Sequence, residues 1–265
     1  MSDLLRLSYD TDDGFGVRAR IGLVVLENDQ TVEAELAALW PAGVTAFVTR
    51  IPMEDQVTAE TLLAMEGRIP VAAGMLPTAF GFDVVGYGCT SASTLIGEDR
   101  VDAAIRVAHP DVPNTNPMTA AVAAFTALGA TRIGVVTPYS AEVTAGIVGH
   151  LNGRGLDVVA VGSFLEESDS VVARITQESV AEGVRKVVES AEAALPPGAG
   201  LDGVFVSCTS LRAFGIVEDL EGHLGIPVVS SNLAFGWHML RLAGVAESIP
   251  GLGRLFTLGL DGSPA

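Results

Sequence analysis

The feature that most constrains how this chain of 265 residues can fold is that it repeats itself. Arg20-Ile21-Gly22-Leu23-Val24-Val25 returns as Arg132-Ile133-Gly134-Val135-Val136-Thr137. Asp83-Val84-Val85-Gly86-Tyr87-Gly88-Cys89-Thr90-Ser91 is echoed by Asp202-Gly203-Val204-Phe205-Val206-Ser207-Cys208-Thr209-Ser210, so that an apolar run ends in Cys-Thr-Ser twice. A third echo pairs Pro113-Asn114-Thr115-Asn116 with Val228-Val229-Ser230-Ser231-Asn232, each before an apolar helical stretch. The echoes keep one order, the mark of a duplicated folding unit.

Short runs rich in Val, Ile and Phe alternate with longer segments of helical period, which predicts βαβ units and parallel sheets. Strands are expected at Ala19 to Leu26, Val44 to Ile51, Asp83 to Gly88, Thr131 to Thr137, Asp157 to Gly162, Asp202 to Ser207 and Pro227 to Ser230. Helices are expected at Thr58 to Met65, Met118 to Leu128, Ala141 to Leu151 and Ser170 to Ala191. The predicted architecture is α/β, with two pseudo-symmetric, flavodoxin-like parallel-sheet domains and the active site in the cleft between them. Residues 17–117 plus 230–260 form the first domain in this reading and 118–229 the second, with 1–16 and 261–265 as tails.

With 49% hydrophobic and 18% charged residues the chain can bury a sizeable core, and this apolar content also predicts a homo-oligomer. A net charge of −17 argues against nucleic acid, whose affinity comes from clustered Lys and Arg releasing counterions. It also means that a carboxylate would have to be held by local dipoles and hydroxyls. No run approaches 18 uninterrupted apolar residues, and no basic segment leads into a hydrophobic one, so no membrane partner and a cytoplasmic location are expected.

Two cysteines make no disulfide framework, and no Cys/His cluster has zinc spacing, so neither a metal nor another cofactor is predicted. His109, His150, His223 and His238 show no ligand pattern. Gly22 and Gly134 lie outside any GxGxxG, and both a P-loop and a nucleophile elbow are missing.

The paired thiols are what remains. A lone cysteine at a strand end is usually core packing. A packing residue, however, has no reason to carry the same Thr-Ser tail in both halves. Inverting a carbon next to a carboxylate needs a base on one face and an acid on the other, and two thiols suit this if a helix N-terminus lowers one pKa toward neutrality. Each Cys-Thr-Ser is expected to open a helix, whose orphan amides and hydroxyls would bind the substrate carboxylate and the charge that develops on it.

Other candidates are weaker. Asp29, after the first strand, reads equally as a thiol-orienting or substrate-contacting carboxylate and as a helix N-cap. Tyr139, at the matching strand end of the second half, is a candidate carboxylate ligand or an aromatic at the sheet rim. Asn116 and Asn232 read first as helix caps, with Asn232 kept as a possible ligand.

Gly88-Cys89-Thr90-Ser91, Val136-Thr137-Pro138-Tyr139 and Cys208-Thr209-Ser210-Leu211-Arg212 resemble the aspartate/glutamate racemase superfamily over Ala19 to Leu258. They look most like its branch of maleate cis-trans isomerases, arylmalonate decarboxylases and ectoine-utilisation racemase-like proteins. The resemblance implies a cofactor-independent racemase or isomerase acting through Cys89 and Cys208 on a small (di)carboxylate or amino-acid derivative. Asp29, Thr90, Ser91, Tyr139, Thr209, Ser210 and Asn232 would surround that substrate. At Asp29, where maleate isomerases usually offer Asn, the chain is more similar to the ectoine-utilisation proteins, which implies a place in ectoine degradation. Maleate isomerisation, arylmalonate-type decarboxylation and a non-catalytic, two-lobed metabolite-binding protein stay open as alternatives.

Overall fold

The computed structural model describes residues 4–265. Its strands are β1 (Ala19–Leu26), β2 (Val44–Ile51), β3 (Val84–Gly88), β4 (Asn114–Thr115), β5 (Arg132–Thr137), β6 (Asp157–Ser163), β7 (Gly203–Val206) and β8 (Val228–Ser230). They form two all-parallel, four-stranded sheets, ordered β2-β1-β3-β4 and β6-β5-β7-β8. The repeated sequences therefore occupy equivalent places: β1 matches β5, and β3 matches β7. Strand β4 was not expected, because two residues carry no readable periodicity.

Burial follows position in the sheet. Central β1 is covered on both faces and is almost wholly buried, whereas β2 at the edge is mostly half-buried. The glycine shared by β1 and β5 has a packing role. A methyl group on Gly134 would stand 2.5 Å from Val187 Cγ1, and one on Gly22 would stand 3.0 Å from Leu76 Cδ1, so both glycines let the covering layer approach the sheet.

Helices Val32–Ala37, Ala59–Ala64, Ile69–Gly74, Thr90–Ile96 and Glu98–Arg106 belong with the first sheet. Ala141–Gly153, Asp169–Val172, Gln177–Ala194 and Val217–Leu224 belong with the second. The single helix expected at Ser170 to Ala191 is thus broken. Its second piece starts where the Thr176 hydroxyl accepts the amide of Ser179, a cap that favours a fresh start over continuation.

Two helices join the halves: Pro117–Leu128 after β4 and Ser231–Leu242 after β8, packed on each other. Ser231–Leu242 is buried along almost its whole length, with Phe235, Trp237 and Met239 fully enclosed. The donors of its one guanidinium, Arg241, are satisfied by the carbonyls of Val245, Phe256 and Leu258. The last residues, read from sequence as a tail, turn back so that Leu258 bridges Pro264 and the Ala265 amide donates to Thr257. Among the described residues no helix is long and apolar enough to cross a membrane.

Candidate active site

In sheets of this order, ligands bind beyond the carboxyl ends of the strands, where the connections diverge. Both halves turn that edge toward one another. Cys89, Thr90 and Ser91 follow β3, Cys208 and Thr209 follow β7, and Tyr139 follows β5. All six line a single small cavity, together with Leu26, Met53, Val57, Leu62 and Asp169.

Cys89 is itself the cap of helix Thr90–Ile96. Its Sγ accepts the Ala92 amide at 3.4 Å and lies 3.7 Å from the Ser91 hydroxyl. The expected helix start after the first Cys-Thr-Ser is therefore present. After the second it is not. The chain beyond Cys208 runs irregularly until the short turn Phe214–Ile216 and the helix Val217–Leu224. Here Sγ accepts the Ser210 amide at 3.3 Å instead.

That irregular stretch is held from the other half. Glu35 accepts the amides of Ala213 and Phe214, and Thr31 donates its hydroxyl to the Ser210 carbonyl. Asn232 donates to the Thr209 carbonyl and to Glu35, each at 2.8 Å. Asn232 is thus not the helix cap that its echo of Asn116 suggested. The Ser230 hydroxyl takes that place by accepting the Leu233 amide, while Asn116 does cap its helix through the amides of Met118 and Thr119. The two cysteine motifs meet at Ser231, whose Oγ lies 2.8 Å from Thr90 Oγ1 and accepts the Cys208 amide at 3.0 Å.

Asp29 meets its capping reading and does not line the cavity. One carboxylate oxygen accepts the amides of Thr31 and Val32, each at 2.8 Å, as a helix cap would. The other is buried with no hydrogen-bond partner among the described residues. Asp169, not singled out from sequence, repeats this state. Its Oδ1 accepts the Ser210 hydroxyl at 2.8 Å, and its Oδ2 is buried without a partner among the described residues. An Asp at a helix start gives no sign in sequence of facing a cavity.

The loops after β2 and β6 zip together over the site. Gln56 and Ser168 form an antiparallel bridge, and the Val57 amide donates to Glu167. The Asp169 amide donates to the Asp55 carbonyl, and Ser168 gives its hydroxyl to the Asp55 carboxylate.

This environment overturns one expectation. Neither thiol is lowered toward neutrality. Burial pushes Cys89 up to about 11, against the pull of the Ala92 amide and the Ser91 hydroxyl, with Asp169 and Asp29 adding to the rise. Cys208 is raised further, by burial first and then by Asp169. One helix terminus is outweighed by desolvation and two carboxylates. Asp169 is itself raised to about 6 by burial, with the Ser210 hydroxyl working against the shift. Tyr139, raised by burial and then by the adjacent thiols, is a neutral hydrogen-bond donor.

Of the sequence-predicted residues, Cys89, Cys208, Thr90, Ser91, Tyr139 and Thr209 come together at the cavity wall. Ser210 stands behind it holding Asp169, and Asn232 holds the Thr209 backbone. Among the described residues no three His, Cys, Asp or Glu side chains gather as metal ligands would.

Two parallel α/β halves that each bring a cysteine to one shared, hydroxyl-lined cavity define a two-lobed, two-cysteine enzyme. More narrowly, the chain belongs to the arylmalonate decarboxylase family, whose model matches residues 21–256. It is 29% identical to the maleate isomerase of Nocardia farcinica over 91% of this chain and 96% of that one. It is also 30% identical to the arylmalonate decarboxylase of Bordetella bronchiseptica over 55% and 58%. Among solved structures, a cysteine-to-serine mutant of Nocardia farcinica maleate cis-trans isomerase with a covalently bound succinylcysteine intermediate superimposes with a TM-score of 0.80. The identity is 27%, and the match covers 90% of this chain and 98% of that one. A liganded double mutant of arylmalonate decarboxylase gives 0.78 at 28% identity, covering 90% and 98%.

Proposed function

We propose that the chain is a cofactor-independent isomerase that inverts the carbon next to the carboxylate of a small substrate, with Cys89 and Cys208 as the proton-transferring pair. The observation that carries this reading is the presence of both cysteines in the lining of one cavity, beside four hydroxyl-bearing residues, Thr90, Ser91, Thr209 and Tyr139. Hydroxyls and backbone amides hold the carboxylate and the enediolate charge that builds on it. One sulfur, as thiolate, takes the α-proton while the other thiol returns a proton to the opposite face, so the pair exchanges roles in the reverse direction. No proton is gained or lost overall. A place in ectoine degradation, implied by Asp29, belongs to the same proposal; failure of a deletion strain to grow on ectoine would support it.

A second reading has its own support in the succinylcysteine intermediate of the maleate isomerase relative. In it, a thiolate adds to one carbon of a double bond while the other thiol protonates the neighbouring carbon, the new single bond rotates, and the proton returns to that sulfur as elimination restores the double bond and the first thiolate. A saturated chiral carboxylate and maleate separate the two. Deuterium entering from heavy water at the α-carbon of the first, lost in both Cys89→Ala and Cys208→Ala, supports proton transfer, whereas conversion of maleate alone to its trans isomer supports addition. Ligand binding that survives both substitutions, with no turnover of any carboxylate, would leave a two-lobed binding protein.

A further inference from the structure

Resting on the reading of this cavity as a carboxylate site, we infer that its substrate also carries a positively charged or N–H-donating nitrogen, bound by Asp169. Asp169 is 4% exposed, lines the cavity, and keeps one carboxylate oxygen with no donor among the described residues. Asp29, 2% exposed and outside the cavity lining, keeps another and adds its charge to that side of the site. A buried carboxylate oxygen without a donor is costly, and folded proteins rarely leave one unless a ligand or water completes it. Both aspartates spend their other oxygen on the fold, Asp29 on the amides of Thr31 and Val32 and Asp169 on Ser210. The free oxygens are thus surplus to structure.

Protein cations do not meet the need. No Lys, Arg or His lines the cavity among the described residues. Arg50 reaches the Asp29 loop but directs its guanidinium at the carbonyls of Leu26, Glu27 and Asp29 and at the Glu33 carboxylate. A second carboxylate on the substrate would face like charge in a low-dielectric pocket, whereas a nitrogen would supply the missing donors. The hydroxyls of Ser91, Thr209 and Tyr139 remain for the carboxylate.

The chemistry gains from this arrangement. Asp169 and Asp29 help hold both thiols in the neutral form. A bound cation offsets those charges, so the substrate would ease formation of the thiolate that attacks it.

Calorimetric titration of the full chain with propionate, β-alanine and succinate tests the inference, since these share a carboxylate and differ in carrying nothing, an ammonium or a second carboxylate. β-Alanine is expected to bind at least about tenfold tighter than propionate, and succinate more weakly than propionate. Asp169→Asn should remove the advantage of β-alanine and improve succinate. If propionate binds and β-alanine gains nothing, or if Asp169→Asn leaves the order unchanged, the inference falls while the carboxylate site stands. If none of the three binds, both fall. Should Asp169→Asn fail to fold, the order in the unaltered protein decides alone.

Discussion

The hydroxyl oxygen of Ser231 accepts the backbone amide of Cys208 at 3.0 Å, and the same oxygen lies 2.8 Å from the Thr90 hydroxyl. One side chain at the start of the joining helix thereby fixes the spacing of two motifs that lie far apart in sequence. All three residues are buried. Ser231→Ala strips the Cys208 amide of its acceptor in a place water does not reach. Urea denaturation should show a loss of about 1–3 kcal/mol, and a change within error would mean that this oxygen does not hold the motifs together.

Thiol chemistry offers a test against pH. With Cys89 raised to about 11, the thiolate fraction of the ligand-free protein is minute near neutrality and grows about tenfold for each pH unit below that value. Iodoacetamide labelling followed by mass spectrometry should leave both cysteines largely unmodified at about pH 7 and accelerate steeply with pH. Cys89 should react before Cys208, whose thiol is raised further. Fast labelling at neutral pH would contradict the buried, acid-flanked setting.

Asp169 makes a prediction about stability with a definite sign. Its pKa is higher in the folded chain than in the unfolded one, so the folded state holds the proton more tightly. Stability is then greatest below the ordinary aspartate range and is lost as pH rises through about 6. Above that point the ionised carboxylate costs the fold on the order of 2–3 kcal/mol. Asp169→Asn should therefore melt higher than the unaltered protein at about pH 7, and the two should melt alike at about pH 4. A variant that melts lower at about pH 7 would show that the carboxylate has a cationic partner.

The duplicated glycine can be probed in the second half. A methyl group at Gly134 would come within 2.5 Å of Val187 Cγ1 and 3.0 Å of Leu201 Cδ1. Gly134→Ala must push helix Gln177–Ala194 off the sheet or force its side chains from their rotamers, at about 1–3 kcal/mol. Thermal melting should record the loss, and an unchanged midpoint would show that this helix can slide freely.

Much of this was readable in the residues themselves. Repeated Arg-Ile-Gly and Cys-Thr-Ser runs disclosed both sheets and the two thiols, because strand patterning and strand-end chemistry are local. What escaped was non-local. Asn232 and Asn116 look alike in sequence, yet only Asn116 caps a helix, since Glu35 and the Thr209 carbonyl draw Asn232 elsewhere. The break before Gln177 depends on the Thr176 cap, and the place of Asp169 depends on a loop from the opposite half. The thiol pKa values differ from the sequence expectation for a related reason: a helix terminus is visible in sequence, whereas burial beside two carboxylates is not.

A cleft assembled from two copies within a single polypeptide is free to lose its twofold relation. At matching strand ends one lobe presents Asp29 and the other Tyr139, and one cysteine caps a helix while its twin sits in an irregular strand exit. Two separate identical subunits would be bound to offer a ligand the same groups from either side. Fusion leaves the two ends of this pocket chemically unlike, and gives each sulfur its own acidity.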